Sequence, residues 1–245
     1  MSSGLAAIRE RASLVMVPSE TVAEDCREHG FDSARVRVVP WGVRQGVPDD
    51  DEVDRVRRRH GLDGPFVLFV GTLEPRKNLA GLLDALVHLG RPELSLVLVG
   101  PQGWGDPVAG RSGVGLGDVP GPVVRLGVVP EAELTALQRA ADVCCVPSLA
   151  EGFGLPALEA MACRTPLVAT RYGGTPDLVT PGESGYLVDV DDAETLAMRA
   201  LDVLSMRERE WSRMSEAAHR AAHSHTWADA SCAFESGLRR AIEKA

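Results

Sequence analysis

A chain of 245 residues, 44% hydrophobic and 25% charged, holds one sizeable globular domain, or one domain and part of another. Its formal net charge of −9 argues against broad, non-specific binding to nucleic acid. Cys26, Cys144, Cys145, Cys163 and Cys232 form no CxxC pattern and read as free thiols of a reducing, cytoplasmic compartment. No signal peptide is expected, and no apolar run approaches the ~20 residues of a membrane-spanning helix.

In chain order, the short apolar runs SLVMVPS (13–19), RVRVVP (35–40), FVLFVG (66–71), LSLVLVG (94–100), VVRLG (123–127), VCCVPS (143–148), PLVAT (166–170) and GYLVDV (185–190) predict strands. Most lack polar alternation, as strands covered on both faces do. Helical patterns fall between them, near 20–29, 78–89, 130–140, 155–163 and 192–204. The stretch 41–62, WGVRQGVPDDDEVDRVRRRHGL, reads as a linker feeding a charged helix. The tail from about 207 to 243 is helical, with HTWADA (225–230) marking a break. This rhythm predicts an α/β fold: a Rossmann-like parallel sheet with helices on both faces. The Gly- and Pro-rich stretch 103–121 reads as a long loop. Its GVGLG neither follows a strand nor opens a helix, so it is no dinucleotide fingerprint.

Two places carry chemistry. In GTLEPRKNLAGLLDAL (71–86), Pro75 and Asn78 mark a helix entry that also holds Arg76 and Lys77. Cations at a helix N-terminus are each disfavoured by roughly 0.3–1 kcal/mol. A bound anion would reverse that penalty, and a diphosphate is the natural candidate. The alternative is a pair of solvated surface cations. In SLAEGFGLPALEAMAC (148–163), Glu151 lies in a loop after a strand, and Glu159 follows one turn into a helix. Gly152 and Gly154 leave backbone N–H groups open to a ligand, and the two carboxylates suit the hydroxyls of a polyol. A capping box of Ser148 and Glu151 stands beside that reading.

GTLEPRKNL, VPSLAEGFGLPALEAMAC and RYGGTPDLVTPGESGYLVDVDD together resemble family 4 of the retaining glycosyltransferases, in order and in spacing, including the Glu-x7-Glu motif at Glu151 and Glu159. The resemblance implies the GT-B fold, in which two Rossmann-like domains face each other across a cleft. The second holds a nucleotide-sugar donor and the first holds the acceptor. It implies that residues 1–44 are a remnant of the acceptor domain and linker, that 45–224 form the nucleotide-sugar-binding domain, and that 225–245 form a helix packing back on the first domain. Carried over, Arg76 and Lys77 bind the donor diphosphate and Glu151 the transferred sugar, these three being the catalytic set. Gly71 and the backbone of Gly152, Phe153, Gly154 and Leu155 contact the donor, Glu159 takes the ribose hydroxyls, and Val128 lies near the base.

The implied reaction is hexose transfer with retention, without cofactor or metal, since no Asp-x-Asp cluster is placed to hold one. The donor is GDP-mannose or a UDP-hexose, with EPRKN leaning toward mannose. The acceptor is unknown, and a missing or separate acceptor-domain chain is the expected partner. A cytoplasmic location is implied, with peripheral contact at the inner membrane face as an option, RVRRRH (55–60) being a basic segment that suits lipid headgroups or a solvated helix face. A non-catalytic nucleotide-sugar-binding subunit and a GT-B epimerase or phosphorylase are the alternatives. Arg164 stands where the family usually has Gly, and there it either strains the backbone or reaches the cleft. The first domain's glycine-rich loop and catalytic-site histidine or aspartate have no counterpart. His219, His223 and His225 read as helix polarity rather than as a metal site.

Overall fold

Runs of Val, Leu and Phe, bounded by Gly and Pro, become strands buried on both faces in the computed structural model, which describes residues 3–108 and 113–243. Among these residues, β3 (Phe66–Val70), β4 (Ser95–Val99), β5 (Val123–Gly127), β6 (Val143–Val146), β7 (Leu167–Thr170) and β8 (Gly185–Val188) form a six-stranded parallel sheet in the order β5-β4-β3-β6-β7-β8. One face carries α4 (Leu79–Leu89) and α8 (Ala193–Leu204). The other carries α3 (Asp50–His60) with α5 (Glu131–Ala140), and α6 (Leu155–Ala162) with α9 (Glu208–His223). Adjacent strand residues feed opposite layers: Val67 and Phe69 pack under α4, while Phe66 and Leu68 pack under α5. Each of the α4 anchors Leu79, Leu82, Leu83 and Leu86 is buried, at about 1.5–3 kcal/mol per side chain. The sheet is therefore the Rossmann-like one expected, with helices on both faces.

Strand order sets where a ligand site lies. The chain runs outward from β3 through β4 to β5, then returns to β6 on the other side of β3. Loops leaving the carboxyl ends of β3 and β6 meet at this switch point, where open α/β sheets place their ligand crevice.

A smaller unit precedes and follows this sheet. β1 (Val15–Val17) and β2 (Val36–Val38) pair in parallel around α2 (Glu20–Glu28), after α1 (Ser3–Arg11). The final helix, α10 (Trp227–Glu243), lies against β1: a Cβ at Gly237 would stand 2.9 Å from Met16 Sδ. Of the elements, α1 and the short α7 (Thr175–Leu178) were not foreseen, and the break in the tail falls at 224–226 rather than across all of HTWADA. The loop at 103–121 contains a 3-10 turn, Leu116–Asp118, and its residues 109–112 lie outside the described residues, as do 1, 2, 244 and 245. GVGLG forms no strand-to-helix turn. Among the described residues no helix is long and apolar enough to cross a membrane.

Arg164 does not reach the crevice. It follows α6 with φ 66°, in the left-handed region, its guanidinium pairs with Glu216 on α9, and its carbonyl accepts from Ser215 Oγ at 2.6 Å. The backbone strain and the ion pair make separable predictions in urea unfolding. Arg164→Val, β-branched at positive φ, is expected to lose about 1–3 kcal/mol, whereas Arg164→Gly stays within about 1 kcal/mol of the parent. Equal losses in both would place the whole effect in the ion pair.

Candidate functional site

The segment after β3 begins at Gly71, whose N–H donates to Val99 O at 2.9 Å. With no side chain there, the Lys77 stem crosses directly above, its Cε 3.4 Å from where a Cβ would be. Pro75–Lys77 forms a 3-10 turn, and Asn78 takes a left-handed conformation (φ 53°) before α4 starts at Leu79. Arg76 and Lys77 thus precede the helix instead of occupying its first turn, a correction to the expected penalty at a helix start. Asn78 caps α4 by accepting from Gly81 N at 3.1 Å, and its Nδ2 donates to Pro147 O at 3.1 Å. One residue therefore ends the turn, starts the helix and ties both to the loop after β6.

That second loop, Pro147–Gly154, is fixed from below. Thr170 Oγ1 donates to Ser148 O at 2.5 Å, and Leu149 N donates to Arg76 O at 2.8 Å. Ser148 Oγ donates to Glu151 Oε1 at 2.9 Å. This is not a capping box: α6 starts four residues later, after Gly154 (φ 92°), with Pro156 in its first turn and no side-chain cap. Ser148 instead holds the Glu151 carboxylate.

Both cations converge on that carboxylate. Lys77 Nζ pairs with Glu151 Oε1, and each side chain is only 10% exposed. Arg76 places Nη1 3.5 Å from Glu151 Oε2 and 3.1 Å from Ala150 O, and its Nη2 2.6 Å from Glu74 Oε1. Glu74 and Glu151 thereby balance Arg76 and Lys77. The two cations are therefore neither solvated nor unpaired but part of a neutralised cluster, and an anion entering it competes with Glu151 for Lys77. Arg76, 40% exposed, is the more accessible of the two.

Next to the cluster, the N–H groups of Gly152, Phe153, Gly154 and Leu155 have no protein acceptor among the described residues. The stretch RYGG, which follows β7, supports their loop from behind. A Cβ on Gly173 would lie 2.3 Å from Glu151 O, and one on Gly174 would lie 2.1 Å from Phe153 O. Sequence reasoning placed Asn78 at the helix entry but missed its tie to the loop after β6, and it missed the roles of Gly173 and Gly174. The Gly–Gly pair right after a strand was the available signal of close backbone approach.

Glu159 lies about 6 Å further along α6 from Leu155, by the helical rise, and is turned toward α5. Burial pushes its carboxyl above the ordinary value, the Gln138 amide counters this in part, and Glu131 adds to it. The Gln138 influence comes without a closed hydrogen bond, since Nε2 of this buried residue has no partner. Val128 stands just beyond the end of β5, 75% exposed, on the same carboxyl edge of the sheet as the cluster.

The other polar groups singled out serve the scaffold. Arg57 donates to Leu62 O, Gly64 O and Ala140 O, and Arg59 and His60 pair with Glu133, so much of RVRRRH binds α3 to α5. His219 and His223 lie 3.9 Å apart by ring centroid, each with Nδ1 on a backbone carbonyl, while His225 packs against Phe153. Among the described residues no group of three or more His, Cys, Asp or Glu is placed to hold a metal.

The Glu159 shift has a sign that can be checked. An acid whose folded pKa is raised binds more protons folded than unfolded, so its cost to stability grows as pH rises from its ordinary value near 4.5 through the raised one. Glu159→Gln removes that cost. In urea unfolding the variant is expected to be more stable than the parent at pH 8, with the difference shrinking toward pH 4. A difference that is constant with pH would contradict the shift.

Compared with known proteins, residues 50–221 match the family model described as glycosyl transferases group 1. A D-inositol 3-phosphate glycosyltransferase of Acidothermus cellulolyticus is 41% identical over 178 residues, which is 67% of this chain and 39% of that protein. An O-antigen chain mannosyltransferase B of Escherichia coli is 37% identical over 155 residues, 62% of this chain and 39% of its own length. The chain thus spans less than half the length of these curated relatives. In structure, Anabaena HepE, solved in complex with UDP-glucose, superposes with a TM-score of 0.82 at 21% identity, covering 98% of this chain and 66% of that one.

Proposed function

This chain belongs to the group 1 glycosyl transferases, and we propose that it is the donor-binding half of a retaining hexosyltransferase of family 4, taking a hexose from UDP-hexose or GDP-mannose. The carrying observation is the convergence of Arg76, Lys77 and Glu151 at the point where strand order reverses, beside four backbone N–H groups without protein acceptors. Two cations and a row of donors suit a diphosphate, and a carboxylate among them suits sugar hydroxyls.

Chemically, breaking the bond from the anomeric carbon to the diphosphate builds negative charge on the leaving oxygen and positive charge on the sugar ring. Arg76 and Lys77 act where the negative charge develops. Glu151, released from Lys77 by the incoming diphosphate, is left beside the ring. Glu159 takes the ribose hydroxyls, and Val128 borders the base. Gly71 lies beneath the Lys77 stem and borders the donor, and the N–H groups from Gly152 through Leu155 bind donor oxygens. Retention follows from attack by the acceptor on the face from which the nucleotide leaves.

In this reading residues 1–44 and 225–245 belong with an acceptor domain, which selects the unknown acceptor and is needed for transfer. The names of relatives support either hexose: the Escherichia coli protein is a mannosyltransferase, and HepE was solved in complex with UDP-glucose. A cytoplasmic setting fits the buried thiols, with Cys145 and Cys163 pushed up to about 12 by burial and so inert.

Calorimetric titration with UDP, GDP, UDP-glucose and GDP-mannose tests the proposal. The parent is expected to bind one base selectively. Arg76→Ala should weaken that binding by about 10- to 100-fold, the worth of a hydrogen-bonded charge contact, and leave the free nucleoside unaffected. Equal diphosphate affinity in parent and variant would overturn the assignment of Arg76.

A further inference from the structure

The loop that carries the unpartnered N–H groups is built as much by the N-terminal unit as by the sheet. Ser19, fully buried at the start of α2, accepts from Val22 N at 3.3 Å and donates its own proton to Gly152 O at 2.7 Å. These two residues are 133 positions apart. Beside them, Glu20 N donates to Asp177 Oδ2 at 3.1 Å, on the α7 segment that follows Gly173 and Gly174. The Phe153 ring has Trp41 at 5.9 Å and His225 at 6.0 Å by centroid, and Val43 N donates to His225 O at 3.1 Å. Pro18 completes the contact, its Cγ 3.7 Å from where a Cβ of Gly152 would be.

The Ser19 bond has a directional consequence. A trans peptide is planar, with its C=O and N–H on opposite sides. Holding the Gly152 carbonyl toward Ser19 therefore aims the Phe153 N–H away from Ser19. Gly152 would otherwise leave this peptide free to rotate, because glycine has little conformational preference of its own.

We propose that Ser19 is a positioning residue: its hydroxyl fixes the Gly152–Phe153 peptide so that the Phe153 N–H is presented to the sugar or diphosphate oxygens of a nucleotide sugar. The assignment rests on the donor-site reading given above. It makes donor binding depend on the seating of residues 15–43 against the sheet domain, the Ser19 hydrogen bond being the contact that sets the orientation of this peptide.

The test compares the full chain with Ser19→Ala and Ser19→Thr, using UDP-glucose and GDP-mannose as titrants and carbonyl carbon NMR of Gly152 as a ligand-free signal. Loss of the hydroxyl should shift the Gly152 carbonyl resonance and weaken the preferred nucleotide sugar about tenfold, the scale of one hydrogen bond. Ser19→Thr, which keeps both the cap and the donor, should restore both signals. Urea unfolding run in parallel separates these effects from loss of the α2 cap, because a cap alone lowers stability without changing affinity in the folded protein. Unchanged affinity in folded Ser19→Ala, with the parent binding normally, overturns the positioning role and leaves the donor site standing. If the parent binds no nucleotide sugar at all, the donor-site reading fails, and the positioning role fails with it.

Discussion

A buried ion pair between Lys77 and Glu151 joins the two loops that strand order brings face to face. Removing one partner of such a pair strands a charge with few alternatives, at a cost of about 3–5 kcal/mol. Here the surroundings limit that cost: Ser148 and Arg76 also reach Glu151, and Glu74 holds Arg76. The cluster is thus stable without a ligand and still has a positive arm, Arg76, at its exposed edge. In the proposed donor site a diphosphate offers more charge than the carboxylate it would replace at Lys77. In that exchange the diphosphate keeps buried Lys77 paired, and Glu151 retains the Ser148 hydroxyl.

Backbone geometry around the pair is equally constrained. Asn78 must adopt a left-handed conformation to finish one turn and cap the next helix, and Gly154 must do so to open α6. Gly173 and Gly174 lie too close to the Glu151 and Phe153 carbonyls to carry a side chain. The site is held by what these positions lack as much as by what they present. Its precision comes from rigid strand ends below and from the N-terminal unit above.

The sheet was legible because both-face burial leaves a plain mark: uninterrupted Val, Leu and Phe runs at regular intervals. The sites at Arg76–Lys77 and Glu151–Glu159 were legible as candidates through oddities, paired cations at an expected helix entry and glycines where a helix should begin. Their electrostatic state was not. Glu74 is a local partner of Arg76, but that Glu151 neutralises Lys77 depends on two loops 74 positions apart meeting in space. The Ser148-x-x-Glu151 spacing fits a cap as well as a side-chain bond, and only the start of α6 at Leu155 separates the two. Ser19 acts through a contact 133 positions away, of which its local sequence carries no trace, whereas Gly173 and Gly174 left only the Gly–Gly pair as a signal of close approach. Arg164 was legible as an exception, but its partner Glu216 was not, since α9 returns to α6 only in the folded chain.

The exchange of Glu151 for diphosphate at Lys77 is tested most directly by titrating Glu151→Gln with UDP and GDP, nucleotides that lack the sugar. If Glu151 competes for Lys77, removing its charge strengthens binding of the preferred nucleoside diphosphate, by about tenfold for a relieved contact of ~1.4 kcal/mol. Unchanged or weaker binding of both nucleotides by a folded Glu151→Gln protein would contradict the account and leave Glu151 as scaffold alone.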